Sequence, residues 1–231
     1  MDRNIRTELS QVLGNVVSEN KKRLIETALE NRTRYLTVVL ENIQKPHNAS
    51  AVLRTVECLG MQDFYFIEQH KEYEANPGIV KGAIKWVDVY RYGENESNNT
   101  AVCLQALKDK GYAIAVTSPH TEGYYPEQLP IDRPVALVFG NEQEGVSSTA
   151  LENADYYVRI PMWGFTESYN LSVSAAMCTY TLMQRIRLSE NKWQLSEEET
   201  EELRLQWYRT LVKRANIIES EFKRNHDQGP A

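Results

Sequence analysis

The chain has few cysteines and no long apolar run, and each absence removes a class of protein. Cys58, Cys103 and Cys178 are its only cysteines, widely spaced and odd in number. They offer neither a disulfide framework nor metal-ligand spacing, and a reducing, cytoplasmic setting is expected. No apolar stretch approaches the roughly 18 residues of a membrane-spanning helix, so no membrane partner is expected. The opening segment MDRNIRTELS is polar and lacks a signal-peptide core. No G-x-G-x-x-G follows an apolar run, and no glycine loop ends in Lys-Ser or Lys-Thr. His47, His70, His120 and His226 have no metal-ligand pairing, so no metal is expected. A serine-hydrolase elbow is missing as well.

Positive charge is scarce overall: 26 Lys and Arg stand against 32 Asp and Glu, a formal net charge of −6. That total weakens the case for a nucleic-acid partner. Phosphate binding, however, needs only local positive potential. Two segments provide it. Lys21, Lys22 and Arg23 are followed by Arg32 and Arg34, and residues 203–224 carry Arg204, Arg209, Lys213, Arg214, Lys223 and Arg224 against Glu219 and Glu221.

What is present fits a folded α/β protein. At 231 residues and 42% hydrophobic, the chain can fill one core and carry helical additions. Short apolar runs occur at Leu36–Leu40, Phe64–Ile67, Tyr112–Val116, Val135–Phe139 and Tyr156–Ile160, with a weaker one near Trp86–Tyr90. They are nearly continuous rather than alternating, which suits strands buried on both faces. Helical patterns separate them. Ala49, Val52, Leu53, Val56 and Leu59 form one stripe ending at Gly60, and Thr100–Lys110 ends at Gly111. The pattern predicts a mostly parallel sheet with helices on both faces.

The flanks differ from this middle. In residues 1–30, Ile5, Leu9, Val12 and Val16 mark a helical stripe, and Ser18 is placed to cap a second helix through Leu24, Ile25 and Ala28. Beyond Arg187 the chain turns polar. Ser196 and Glu199 have capping-box spacing, and Trp207, Leu211, Ala215, Ile218 and Phe222 continue one helical face. The expected organisation is a helical extension at 1–30, a central domain at 31–190 and a second helical extension at 191–231.

Three polar segments follow predicted strands, where open α/β sheets bind ligands. The first runs from Asn42 to Arg54. Pro46 biases Lys45 toward extended backbone, and Asn48 or Ser50 can cap the helix that follows. Arg54 lies off the apolar stripe and therefore faces solvent or a ligand. The second, Phe139–Gly145, brackets a polar loop with two glycines. The third, Ile160–Leu171, leads into an apolar helix, with Ser168 and Asn170 as natural N-caps. Taken alone, each has an ordinary structural reading as cap, turn or solvated arginine. The residues by themselves leave the reaction undetermined.

In this order, the same segments resemble the three motifs of the SpoU/TrmH branch of the SPOUT methyltransferases. They stand as Glu41-Asn-Ile-Gln-Lys-Pro-His-Asn-Ala-Ser-Ala-Val-Leu-Arg-Thr, Leu137-Val-Phe-Gly-Asn-Glu-Gln-Glu-Gly-Val-Ser147 and Ile160-Pro-Met-Trp-Gly-Phe-Thr-Glu-Ser-Tyr-Asn-Leu-Ser-Val-Ser-Ala-Ala176. The resemblance spans about Tyr35–Arg187. It implies a deep trefoil knot in the C-terminal part of the domain, a rare topology that periodicity does not reveal. It also implies a homodimer, and S-adenosylmethionine held by loops near Thr117, Gly140, Ile160, Met162 and Leu171. Carried onto matching positions, it makes Asn48, Arg54, Glu142, Ser168 and Asn170 the catalytic candidates. Arg54 is the residue such enzymes are held to use in activating a ribose 2′-hydroxyl. A guanidinium with a pKa above about 12 is a poor base, so gripping the adjacent phosphate suits Arg54 better. Two positions depart from the pattern: Glu167 stands where Gln is usual, and Tyr169 where Leu is usual. The helical flanks resemble the type that methylates guanosine 18 in the D-loop of tRNA, which makes tRNA the expected partner. A ribosomal-RNA methyltransferase and a non-catalytic RNA-binding protein of the same fold are the alternatives.

Overall fold

A computed structural model describes residues 3–68, 83–93 and 98–227. His70 and the outer ends of the two expected extensions fall outside the described residues. In chain order the elements are α1 (Arg3–Gly14), α2 (Glu19–Glu30), β1 (Leu36–Glu41), α3 (Pro46–Cys58), β2 (Asp63–Ile67), a 3-10 turn (Ala83–Lys85) and β3 (Asp88–Tyr92). There follow α4 (Asn99–Asp109), β4 (Ala113–Thr117), β5 (Val135–Phe139), α5 (Ser148–Glu152), β6 (Tyr156–Val158), α6 (Leu171–Leu188), α7 (Glu197–Leu211) and α8 (Ala215–Asp227). The chain divides into two compact units, Thr33–Trp193 and Met1–Arg32 together with Gln194–Ala231.

The first unit is an α/β layer structure around six parallel strands in the order β3-β2-β1-β5-β4-β6. Both faces are covered, which is why the inner strands are mostly apolar, with polar residues at Thr37 and toward the strand ends, as at Glu41, Asp63 and Thr117. Leu36, Val38 and Leu40 of β1 pack with Val52 and Leu53 of α3 and Cys178 and Leu182 of α6. Val39 faces the other way, toward Cys103, Leu104 and Leu107 of α4 and Ala150 of α5. The N-terminal edge of the sheet is held electrostatically. Arg34 pairs with Asp63 and, at 2.8 Å, with Asp88. Burial works to lower the Arg34 pKa, but the two carboxylates outweigh it and raise the value, so the guanidinium stays charged.

Strand order fixes where a ligand would sit. The chain steps outward from β1 through β2 to β3, then crosses over to β4 and returns to β5 beside β1. After β1 it passes into α3 on one face, and after β5 into α5 on the other. The two outgoing loops therefore leave toward opposite faces at the C-terminal ends of β1 and β5, the switch point at which open α/β sheets bind ligands.

The second unit is helical, and it corrects the sequence reading in two ways. On α1 the buried side is Leu9 and Leu13, whereas Val12 and Val16 are 37% and 62% exposed. The expected stripe mixed two faces, because apolar residues at both i+3 and i+4 spacings let more than one stripe be drawn. Similarly, Ile25 and Leu29 are the buried residues of α2, and Leu24 is exposed. Ser18 takes the N-cap position of α2 without a side-chain cap hydrogen bond. The second correction is at the C-terminus. The face from Trp207 to Phe222 is split between α7 and α8, because Arg214 adopts a left-handed φ of 61° that no α-helix accommodates. The capping box of Ser196 and Glu199 forms as expected. Arg204 grips Glu26 through two 2.7 Å hydrogen bonds, and Arg209 pairs with Glu219 at 2.7 Å.

Candidate active site

The first segment begins with a turn that proline sets up. Pro46 occupies the first turn of α3, where its missing N–H removes no helical bond, and Lys45 is the extended N-cap. Asn48 and Ser50 therefore lie inside the helix and do not cap it, contrary to expectation. Relieved of that duty, the Asn48 side chain is buried and joins the other two segments. Its Nδ2 donates to Glu142 Oε1 at 2.5 Å, and its Oδ1 accepts from Asn170 Nδ2 at 3.3 Å.

Glu142 sits on the loop after β5. Asn141 and Gly145 exchange backbone hydrogen bonds of 3.0 and 3.1 Å, closing the loop tightly. Gly145 has φ 73°, and a Cβ on Gly140 would lie 2.0 Å from the Gly145 carbonyl oxygen. Only glycine fits there. The second carboxylate oxygen of Glu142, Oε2, is buried and has no hydrogen-bond partner among the described residues. A buried unpaired oxygen is costly, which marks a position suited to a donor from a bound molecule.

Of the two cap candidates on the third segment, Asn170 is the cap. Its Oδ1 accepts from the Ser172 amide at 2.9 Å and from the Ser172 hydroxyl at 2.6 Å. Ser168 is exposed, lies before the helix and has no hydrogen bond among the described residues. Arg54 is exposed on α3, as its place off the stripe implied, and no ion pair engages it among the described residues. The geometry thus brings together Asn48, Glu142 and Asn170, with Arg54 on the same helix as Asn48.

The sequence reading missed Glu41. This last residue of β1 is buried, and its carboxylate accepts from Thr100 Oγ1 at 2.5 Å, the Ser147 amide at 2.8 Å and Ser147 Oγ at 2.7 Å. It ties the start of the first segment to the end of the second. A carboxylate closing an otherwise uncharged, mostly apolar strand was the available signal, since a buried charge must be paired.

The residues expected to hold a cofactor lie at the ends of three adjacent strands. Thr117 ends β4, and its hydroxyl donates to the Val138 carbonyl at 2.9 Å. Gly140 follows β5; Ile160 and Met162 are half-buried after β6; Leu171 is the buried first residue of α6. The cramped glycine loop offers backbone groups without side-chain obstruction, and Ile160, Met162 and Leu171 offer apolar surface. That combination suits a nucleoside with a polar tail, so the residues present fit S-adenosylmethionine. Among the described residues no group of His, Cys, Asp and Glu is arranged for a metal ion.

A parallel sheet with three polar loops converging beside its switch point defines an α/β ligand-binding protein whose site can align a polar substrate with a nucleoside-sized cofactor. More particularly, the chain belongs to the SpoU rRNA Methylase family, whose model matches residues 35–180. A tRNA (guanosine(18)-2′-O)-methyltransferase of Borreliella burgdorferi is 40% identical, over 90% of this chain and 94% of that protein. The crystal structure of the Aquifex aeolicus TrmH/SpoU tRNA modifying enzyme superposes with a TM-score of 0.73 at 29% identity, covering 85% of this chain and 98% of that one. The SpoU methyltransferase AviRb of Streptomyces viridochromogenes, solved with the cofactor AdoMet, shares the fold at a TM-score of 0.58 and 21% identity, over 71% of this chain and 62% of that one.

Proposed function

We propose that this chain transfers a methyl group from S-adenosylmethionine to the ribose 2′-hydroxyl of guanosine 18 in the D-loop of tRNA. The observation that carries the reading is the Asn48–Glu142–Asn170 junction, with Arg54 exposed on the same helix and in no ion pair among the described residues. The 40% identical relative of that activity, matched over nearly its whole length, supports the substrate.

When bound, the cofactor supplies an electrophilic methyl group on a sulfonium. Thr117, Gly140, Ile160, Met162 and Leu171 hold it at the ends of β4, β5 and β6. Arg54 grips a phosphate beside the target ribose, and so fixes the 2′-hydroxyl in line for attack. Glu142 holds Asn48, Asn48 holds Asn170, and Ser168 with Asn170 shapes the ribose pocket. Fixed orientation is the main resource of such a site, because it removes the entropic cost of aligning two partners.

The finer organisation belongs to the same reading. Residues 31–190 form the methyltransferase domain, threaded as a trefoil knot, with 1–30 and 191–231 as helical extensions. The enzyme works in the cytoplasm as a homodimer. Val173, Met177 and Tyr180 support the dimer: they form an apolar stripe on α6 that is 41–58% exposed in the single chain. Replacing Arg54 with Ala tests the site. Methyl transfer to unmodified tRNA should fall at least about 100-fold in kcat, while cofactor affinity measured by calorimetry stays unchanged. Activity within a few-fold of the parent would rule out this role for Arg54.

A further inference from the structure

The loop that carries Ser168 and Asn170 also presents side chains that methyl transfer does not require. Trp163 and Phe165 are 90% and 108% exposed, with Gly164 between them. Glu167 is exposed and has no hydrogen bond or ion pair among the described residues. The Tyr169 hydroxyl donates to the Pro161 carbonyl at 3.4 Å and clamps the two ends of the loop. The excursion is therefore closed at its base, with two aromatic rings and a carboxylate at its outer part. Its far end, Asn170, reaches the junction through Asn48.

Aromatic rings in water beside an RNA site are platforms for unstacked bases. A carboxylate among RNA phosphates is repelled, so its presence needs a specific donor. Guanine alone among the four RNA bases presents two adjacent donors, N1–H and the 2-amino group, on its Watson–Crick edge. An ionised carboxylate offers two acceptor oxygens and no donor, which matches that pair and no other base edge. Building on the function proposed above, we infer that the loop of Trp163, Phe165 and Glu167 reads the target base. The rings stack on an unpaired guanine, and Glu167 accepts from its N1–H and 2-amino group.

Two tRNAs that differ only at the target nucleoside, guanosine or inosine, provide the test, because inosine keeps N1–H and lacks the 2-amino group. The parent enzyme should favour guanosine by at least about tenfold in kcat/KM. Glu167→Ala, at an exposed position the fold does not depend on, should bring the two substrates within about threefold of each other. A second variant, Trp163→Ala with Phe165→Ala, should raise the KM for tRNA at least about tenfold and leave the sedimentation coefficient unchanged. A guanosine-to-inosine ratio that Glu167→Ala leaves intact would overturn the base-reading role. Dissociation of the dimer in the double variant, with KM unchanged, would assign the rings to subunit contact instead. Parent enzyme that methylates neither tRNA would overturn the underlying function as well, which separates the two failures.

Discussion

The amide of Asn48 both donates and accepts, and this lets one buried side chain join segments that lie 94 and 122 residues away in sequence. Spacing cannot show such a junction, because asparagine near a helix start has an ordinary reading as a cap. Arg54 was legible because an arginine off the apolar stripe has to face outward. Glu41 was not, since it reads as the first polar residue of a loop when it is the last buried residue of a strand. Buried residues also set the response to pH. Burial pushes the Cys103 and Cys178 thiols up to about 12 from an ordinary 9. Both stay protonated in the folded chain while the unfolded chain ionises from pH 9 upward, so stability is full below 9 and falls as pH rises toward 12. Each thiol contributes a slope of about 1.4 kcal/mol per pH unit in that window. Urea unfolding at pH 8 and pH 10.5 should show this decline, and Cys103→Ala should make it shallower. An unchanged slope in the variant would contradict the assignment.

Among the elements, strands were the most legible, because burial on both faces leaves a continuous apolar run. β3 starts and ends two residues later than the weak run at Trp86–Tyr90; as an edge strand, half-exposed along its length, it has the least apolar pattern. Helix faces were less legible. The exposure of Val12 and Val16 and the break at Arg214 depend on what each helix packs against and on one residue's backbone, and neither is written in periodicity. The loop after β5 is the element on which the site most depends. A Cβ on Gly140 would collide with the backbone of Gly145 and Val146, at 2.0–2.3 Å, and no side-chain rotation relieves a clash with backbone. Gly140→Ala should therefore open the loop and weaken cofactor binding at least about tenfold by calorimetry, while far-UV circular dichroism keeps the α/β signal. Affinity equal to the parent's would show that the loop's closure is not needed for binding.

For the whole molecule, net charge says little about a nucleic-acid partner, because phosphate binding depends on local charge. The basic residues of the helical unit are partly spent internally, Arg204 on Glu26 and Arg209 on Glu219. Lys213, Arg214, Lys223 and Arg224 are exposed and remain available to phosphates. In the same unit, Lys21 and Lys213 flank a hollow of about 440 Å³ lined by Val16, Val17, Leu211 and Ile218. Parallel topology was readable from the alternation of strands and helices. Strand order was not, because the crossover that places β5 beside β1 depends on contacts between segments far apart in the chain. That crossover sets the loops after β1 and β5 side by side, and the proposed chemistry follows from the residues they carry. The most direct measurement is to incubate the purified protein with radiolabelled S-adenosylmethionine and separate samples of unmodified tRNA and ribosomal RNA, then map nuclease-resistant dinucleotides. The expected result is label at guanosine 18 in the D-loop of tRNA and none in ribosomal RNA. Label confined to ribosomal RNA, or no transfer to either despite bound cofactor, would contradict it.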